Sequence, residues 1–214
     1  MEEALVCLLF FMDYKTKLLE AVPKMNGWCD PAKANHIFDS VIKQRATRCV
    51  ELGVFAGRSL IAFGLALAKL GNPKSVVYGV DTWSSIAATE NNDGDNAQWW
   101  KSLDYDAIRH ECVTTCESLK ISTYVKLMKM STVQSFYEID GNVDILHIDG
   151  NHSQWDSTRD VTMWVDRVVA KGIIYFDDED WVSTKTAQRL LELKCIKIDE
   201  IKTTNVCGVY RKLG

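Results

Sequence analysis

Three groups of residues in this chain of 214 have side chains and spacing suited to chemistry. The first is Cys49-Val50-Glu51-Leu52-Gly53-Val54-Phe55-Ala56-Gly57-Arg58-Ser59, where an apolar run meets a glycine-punctuated turn and then a helical pattern. Glycine there permits close backbone approach by a ligand. The glycines are spaced G-x-x-x-G with an acid two places before the first, not G-x-G-x-x-G, which argues against a bound pyrophosphate. Glu51 at a strand end can accept hydrogen bonds from an ammonium group or a water near it, and a helix starting near Gly57 and Ser59 can receive a carboxylate. A zwitterionic amino-acid tail suits both; a tight turn with no ligand is the plainer alternative.

The second group closes the run Val76-Val77-Tyr78-Gly79-Val80-Asp81-Thr82-Trp83. A carboxylate at this strand end, roughly thirty residues after the glycine turn, is placed to bind the hydroxyls of a ribose. Trp83 can stack near the sugar or base; the alternatives are a turn cap for Asp81 and core packing for Trp83. The third group joins two strand ends, Ile148-Asp149-Gly150-Asn151-His152 and Phe176-Asp177-Asp178-Glu179-Asp180. Asp149, Asp177 and Asp178 would offer hard oxygen ligands suited to magnesium, with positions left for substrate oxygens. A solvated acidic loop is the alternative. His147 reads as a satisfied core histidine, whereas His152 lies just past the strand, where a base can reach substrate.

Bringing these groups to one edge requires a particular scaffold. Apolar or β-branched runs at 47–53, 75–81, 123–129, 143–149 and 171–177 alternate with helical patterns at 57–70, 99–118, 131–139 and 154–169. Five strands separated by helices imply a parallel sheet covered on both faces. A helix at 183–193 leads to β-rich runs at 195–202 and 206–212, divided only by Thr203, Thr204 and Asn205, which demands an antiparallel hairpin. The predicted fold is therefore α/β, a Rossmann-like doubly wound, mostly parallel seven-stranded sheet with a C-terminal antiparallel hairpin. Helices at 3–21 and 31–44, the second opened by Asp30-Pro31, form an N-terminal helical cap. Residues 1–214 read as a single domain, with the cap at 1–45 and a ligand-binding core at 46–214. The polar stretch Glu90 to Asn96 reads as a closing lid, and Trp99, Trp100 and Tyr105 either serve a lid or sugar platform or pack on the body.

Composition narrows the function classes. A net charge of −4 with no basic block speaks against a nucleic-acid ligand. Seven cysteines without a C-x-x-C pair read as free thiols of a reducing, cytoplasmic setting. The apolar stretch Ala4 to Met12 is too short to span a membrane and lacks the basic segment of a signal peptide, so it reads as a helix packed on the domain or on another subunit. A homo-oligomer, or a domain of a longer chain, is compatible with that segment.

The motifs resemble those of class I S-adenosylmethionine-dependent methyltransferases, and more narrowly the macrocin O-methyltransferase-like group that acts on sugar and natural-product hydroxyls. The resemblance rests on 50–59, 79–83, 146–153 and 176–178, with Gly27-Trp28-Cys29-Asp30-Pro31-Ala32-Lys33-Ala34 similar to that group's entry segment. It implies that Glu51, Gly53, Gly57 and Ser59, with Phe55 and Ala56 in the same turn, surround the methionine part of the donor. Asp81 and Trp83 would serve the ribose, and Met130 with Ser131 the adenine edge. It also implies a divalent ion, magnesium or similar, on Asp149, Asp177 and Asp178, and S-adenosylhomocysteine as product. Many relatives carry an acid where this chain has Asn151; an amide cannot take a proton, so His152, with Asp149 beside it, is the expected catalytic base. In length and general character the chain also resembles the methyltransferase domain of a large viral glycan-building protein that methylates a rhamnose, which would place it in the host cytoplasm. A non-catalytic donor-binding or partner-binding domain and, further off, a nicotinamide-dependent oxidoreductase are the rival classes.

Overall fold

The computed structural model describes residues 13–90, 95–203 and 205–214. The segment Ala4 to Met12 and residues 91–94 of the expected lid lie outside the described residues. The chain runs α1 (Tyr14–Ala21), α2 (Pro31–Gln44), β1 (Arg48–Leu52), α3 (Leu60–Leu70), β2 (Val76–Asp81), α4 (Ser85–Thr89), α5 (Asp95–Lys101), α6 (Tyr105–Ser118), β3 (Val125–Lys129), α7 (Thr132–Glu138), β4 (Val143–Ile148), α8 (Gln154–Trp164), β5 (Val168–Phe176), α9 (Lys185–Glu192), β6 (Cys195–Lys202) and β7 (Val206–Lys212). The seven strands form one sheet in the order β3-β2-β1-β4-β5-β7-β6. The pairs among β1 to β5 are parallel, and β7 runs antiparallel to both β5 and β6. This is the expected doubly wound sheet with its terminal hairpin.

Strand alternation decides what each face carries. Cys49, Ile145, Ile173, Tyr175 and Val209 pack with α1, α2 and α3 on one face, while Val50, Leu52, Leu146, Ile148 and Ile174 pack with α8 and α9 on the other. In the parallel register Glu51 pairs with His147, and His147 with Tyr175, so both polar side chains fall on the α1–α3 face. Helix α3 is buried continuously from Leu60 to Leu67, which its nearly all-apolar sequence permits, and it ends at Gly71 in the left-handed conformation. Asp30 caps α2 by accepting from the Lys33 amide at 2.8 Å, with Pro31 in the first helical position.

Three expected elements differ. The helix at 99–118 is two helices, because Asp104 caps α6 by accepting from the Ala107 amide at 3.0 Å and so ends α5 before it. The connection after β2, where no helix is expected before residue 99, contains the short helix α4. The helix from 154 stops at Trp164, and after one turn of 3-10 helix the β-branched pair Val168-Val169 already begins β5.

Candidate active site

All five parallel strands end at the same edge, and a cleft of about 680 Å³ opens there. Gly53, Phe55, Ser59, Asp81, Trp83, Met130, Ser131, Asp149, His152 and Asp178 line it. Glu51, Ala56, Gly57 and Asp177 do not.

The glycine turn owes its composition to backbone crowding as much as to a ligand. Gly53 has φ +87°, and a Cβ there would overlap the Asp149 carbonyl oxygen, so the ends of β1 and β4 approach only because the side chain is absent. At Gly57, φ +91°, a Cβ would lie 2.6 Å from Cys112 Sγ on α6. Glu51 corrects the expectation of an ammonium acceptor, for it is fully enclosed on the α1–α3 face. Its carboxylate accepts from the Ser59 hydroxyl and binds His147 Nδ1 at 2.8 Å. Since Ser59 is turned toward Glu51, the N-terminus of α3 carries no side-chain cap.

Asp81 is both a cap and a lining residue. One oxygen accepts from the amides of Val54 and Phe55, each at 2.9 Å, and the other from the Trp83 amide at 2.7 Å. It thereby pins the glycine turn to the end of β2. Burial raises its pKa against the pull of those amides. Trp83 is 3% exposed and donates from Nε1 to the Phe55 carbonyl at 2.9 Å, so packing and cleft lining coincide in one ring. Phe55, Trp83 and Asp178 have φ of 52°, 42° and 51°, and all three border the cleft. Left-handed backbone at bulky residues is costly and persists where the surroundings hold it.

At the other end stand the ionisable groups. His152 Nε2 lies 3.0 Å from Asp178 Oδ2 and 3.6 Å from Asp149 Oδ1. Burial opposes its protonation, but the bond with Asp178 prevails and raises its pKa. Behind this rim, His147 Nε2 makes no hydrogen bond and stands 3.7 Å from both Asp149 and Asp177, so it is only half satisfied. Burial disfavours its charge, yet Asp177 and Glu51 together lift it to about 9. Burial and the neighbouring Asp177 raise Asp149, whereas Lys33 and His147 hold Asp177 ionised.

Lys33 is one of the residues that sequence reasoning missed. Its ammonium, 1% exposed, pairs with Asp177 and lies 3.5 Å from Asp149 Oδ2. The expected divalent site on Asp149, Asp177 and Asp178 therefore does not fit. A cation already stands between the first two acids, and the third is engaged by His152. His147, Asp177 and Cys207 also bring ligand-type atoms within 4.8 Å of one another. Lys33 shares that carboxylate as well, and burial pushes the Cys207 thiol up, away from the thiolate a metal needs.

Residues 50–179, more than half of the chain, match the family described as "Methyltransferase domain". The chain belongs to this methyltransferase family. It is 26% identical over 137 residues to the uncharacterized protein y4gI of Sinorhizobium fredii, an alignment covering 64% of this chain and 13% of that one. The chain thus spans a small part of that relative. Among solved structures, it superposes on the O-methyltransferase TomG of Streptomyces achromogenes, involved in tomaymycin synthesis and solved with SAM, with a TM-score of 0.64 at 12% identity, covering 98% of this chain and 95% of that one. The O-methyltransferase of Bacillus cereus in complex with SAH gives 0.63 at 11% identity over 93% and 90% of the two chains. At such identities these likenesses describe the fold.

Two further features belong to the cleft. Asn151 Nδ2 donates to the carbonyls of Ala87 at 3.2 Å and Glu90 at 2.8 Å, and Oδ1 accepts from the Ser153 amide at 2.9 Å. An ionised acid could not donate to those carbonyls, which gives the amide a structural reason: it latches the α4 segment to the end of β4. Opposite, Trp28, Phe55, Trp99 and Trp100 form an aromatic wall with centroids 4.9 to 5.9 Å apart in every pair in contact. Tyr105 borders the cleft and donates to the Trp100 carbonyl at 2.9 Å. Trp28 and Arg58 were not singled out from sequence; Arg58 Nε donates to the Val22 carbonyl at 2.7 Å and a second nitrogen to that of Gly27, seating the Trp28 segment on the glycine turn.

Proposed function

We propose that this methyltransferase uses S-adenosylmethionine to methylate a hydroxyl of a small molecule or glycan, with a sugar such as rhamnose as the leading acceptor class. The observation that carries the reading is the His152–Asp178 pair at 3.0 Å, set beside Asp149 in the same cleft as the glycine turn and Asp81. The donor would supply an activated methyl group on a sulfonium. The bare turn at Gly53 suits its amino-acid tail, Asp81 its ribose, and Met130 with Ser131 its adenine edge.

An alcohol is a poor nucleophile until its proton is taken. His152 with Nε2–H directed at Asp178 is left with Nδ1 as its basic nitrogen, the form required to receive that proton. Asp178 fixes the tautomer and then stabilises the imidazolium. General-base assistance of this type contributes about 10²–10⁴-fold. The wall of Trp28, Trp99 and Trp100 suits the apolar face of a sugar ring. The free thiols of Cys29, Cys49, Cys112, Cys116, Cys195 and Cys207 accord with a reducing, cytoplasmic setting.

Calorimetry with S-adenosylhomocysteine, followed by transfer of labelled methyl to a panel of sugars that includes rhamnosides, tests the reading. Uptake of the product and labelling of a hydroxylated acceptor are expected. Absence of uptake would overturn donor binding; uptake without transfer to any acceptor would favour a domain that binds the donor and does no chemistry.

A further inference from the structure

We propose that Lys33 is the resident cation of the carboxylate rim, occupying the place of a divalent ion and making the site independent of metal. Lys33 reaches this position from the first turn of α2, on which Asp30 and Pro31 fix the helix start. Its ammonium is enclosed, pairs with the fully buried Asp177, and sits 3.5 Å from Asp149. A buried ammonium between two carboxylates is held there, because removing it would leave uncompensated charge in a poorly solvated region. A divalent ion on Asp149 and Asp177 would have to enter against that charge, at a distance where repulsion between cations is severe. His147 Nε2 also stands 3.7 Å from each of the two acids.

Lys33 does not line the cleft, so it acts through Asp149, which does. It is a positioning residue: it neutralises the acids behind the rim and leaves the acceptor proton to His152. Only this last step rests on the methyl-transfer reading; the exclusion of metal does not.

The experiment is a manganese titration of chelator-stripped protein followed by electron paramagnetic resonance, on the wild type, Lys33→Ala and the double variant Lys33→Ala with Asp177→Asn. Wild type is expected to take up no Mn²⁺ up to about 1 mM, the weak end of divalent-ion sites in proteins. Lys33→Ala, which removes the ammonium and opens space, is expected to gain a bound ion at least tenfold more tightly than wild type, and the double variant to lose it. Stoichiometric uptake by wild type that Asp177→Asn abolishes would overturn the proposal. So would a Lys33→Ala protein with an intact melting transition and no gain. Should Lys33→Ala fail to fold, the wild-type titration decides alone. Methyl transfer, once an acceptor is in hand, is expected to be unchanged by chelator; a rate abolished by chelator and restored by Mn²⁺ would also refute the proposal. A protein inactive on every acceptor leaves the titration result standing and counts only against the proposed function.

Discussion

The two ends of the cleft are built in different ways. At the β1–β2 end the work is done by main chain: Gly53 lets the Asp149 backbone approach, and Asp81 gathers three amides from the turn and from its own strand end. At the β4–β5 end it is done by ionised side chains drawn from far apart in sequence, with Lys33 meeting Asp177 across 144 positions. Main-chain sites depend on conformation and tolerate changes of charge; ion-pair sites depend on charge balance and respond to pH. The contrast yields predictions in which the two ends should respond differently.

The largest effect is expected at Gly53→Ala, where the new Cβ overlaps the Asp149 carbonyl and φ is +87°. Strain and overpacking each cost about 1–3 kcal/mol, enough together to lower the melting temperature by about 5–20 °C and to abolish product binding. Next comes His152→Ala, which should reduce the methyl-transfer rate by about 10²–10⁴-fold while calorimetry finds affinity for S-adenosylhomocysteine within about twofold of wild type. Equal loss of both would mean that the ends are not separable.

Asn151→Asp should cost about 1–3 kcal/mol in chemical denaturation by turning the latch into a repulsive contact with the Ala87 and Glu90 carbonyls, and it should not raise the rate. A rise in rate would mean that an acid at this position acts as base and would displace His152 from the role.

pH separates the ends further. The folded-state pKa of His147 is raised from 6.5 to about 9, so its contribution to stability is complete below about pH 6.5 and is lost as pH rises through about 9. The melting temperature should therefore fall by about 5 °C between pH 7 and 9.5, and His147→Gln should flatten that slope. The smallest effect concerns His152. As its pKa is also raised, the rate should climb with pH through a midpoint above the ordinary histidine value, and Asp178→Asn should move that midpoint down.

What could be read from the sequence divides along the same line. Local signals were sufficient for β6 and β7, whose bounds match the β-rich runs, and for α2, announced by Asp30-Pro31. The glycine spacing and the acids at the strand ends located the cleft, since parallel strands deliver their ends to one edge whatever fills the core. Glu51 was misread because a strand position has two possible faces, and only its register against His147 shows which one it takes. Lys33 was invisible for a different reason: a lysine in the first turn of a helix reads as solvated, and nothing near it in sequence announces Asp177. The break between α5 and α6 had a visible cause in Asp104, but an N-cap in the middle of a long helical pattern is overlooked when periodicity alone is followed.

The alternation that places Glu51 and His147 on one face has a consequence for how such a protein can change over generations. Adding or deleting a single residue within β4 would carry His147 across to the layer of Trp164 and Leu191, and bring an aliphatic neighbour into the polar nest. Strand length here is as constrained as residue identity, so insertions and deletions are better tolerated in the connections beyond the sheet edge than within the strands.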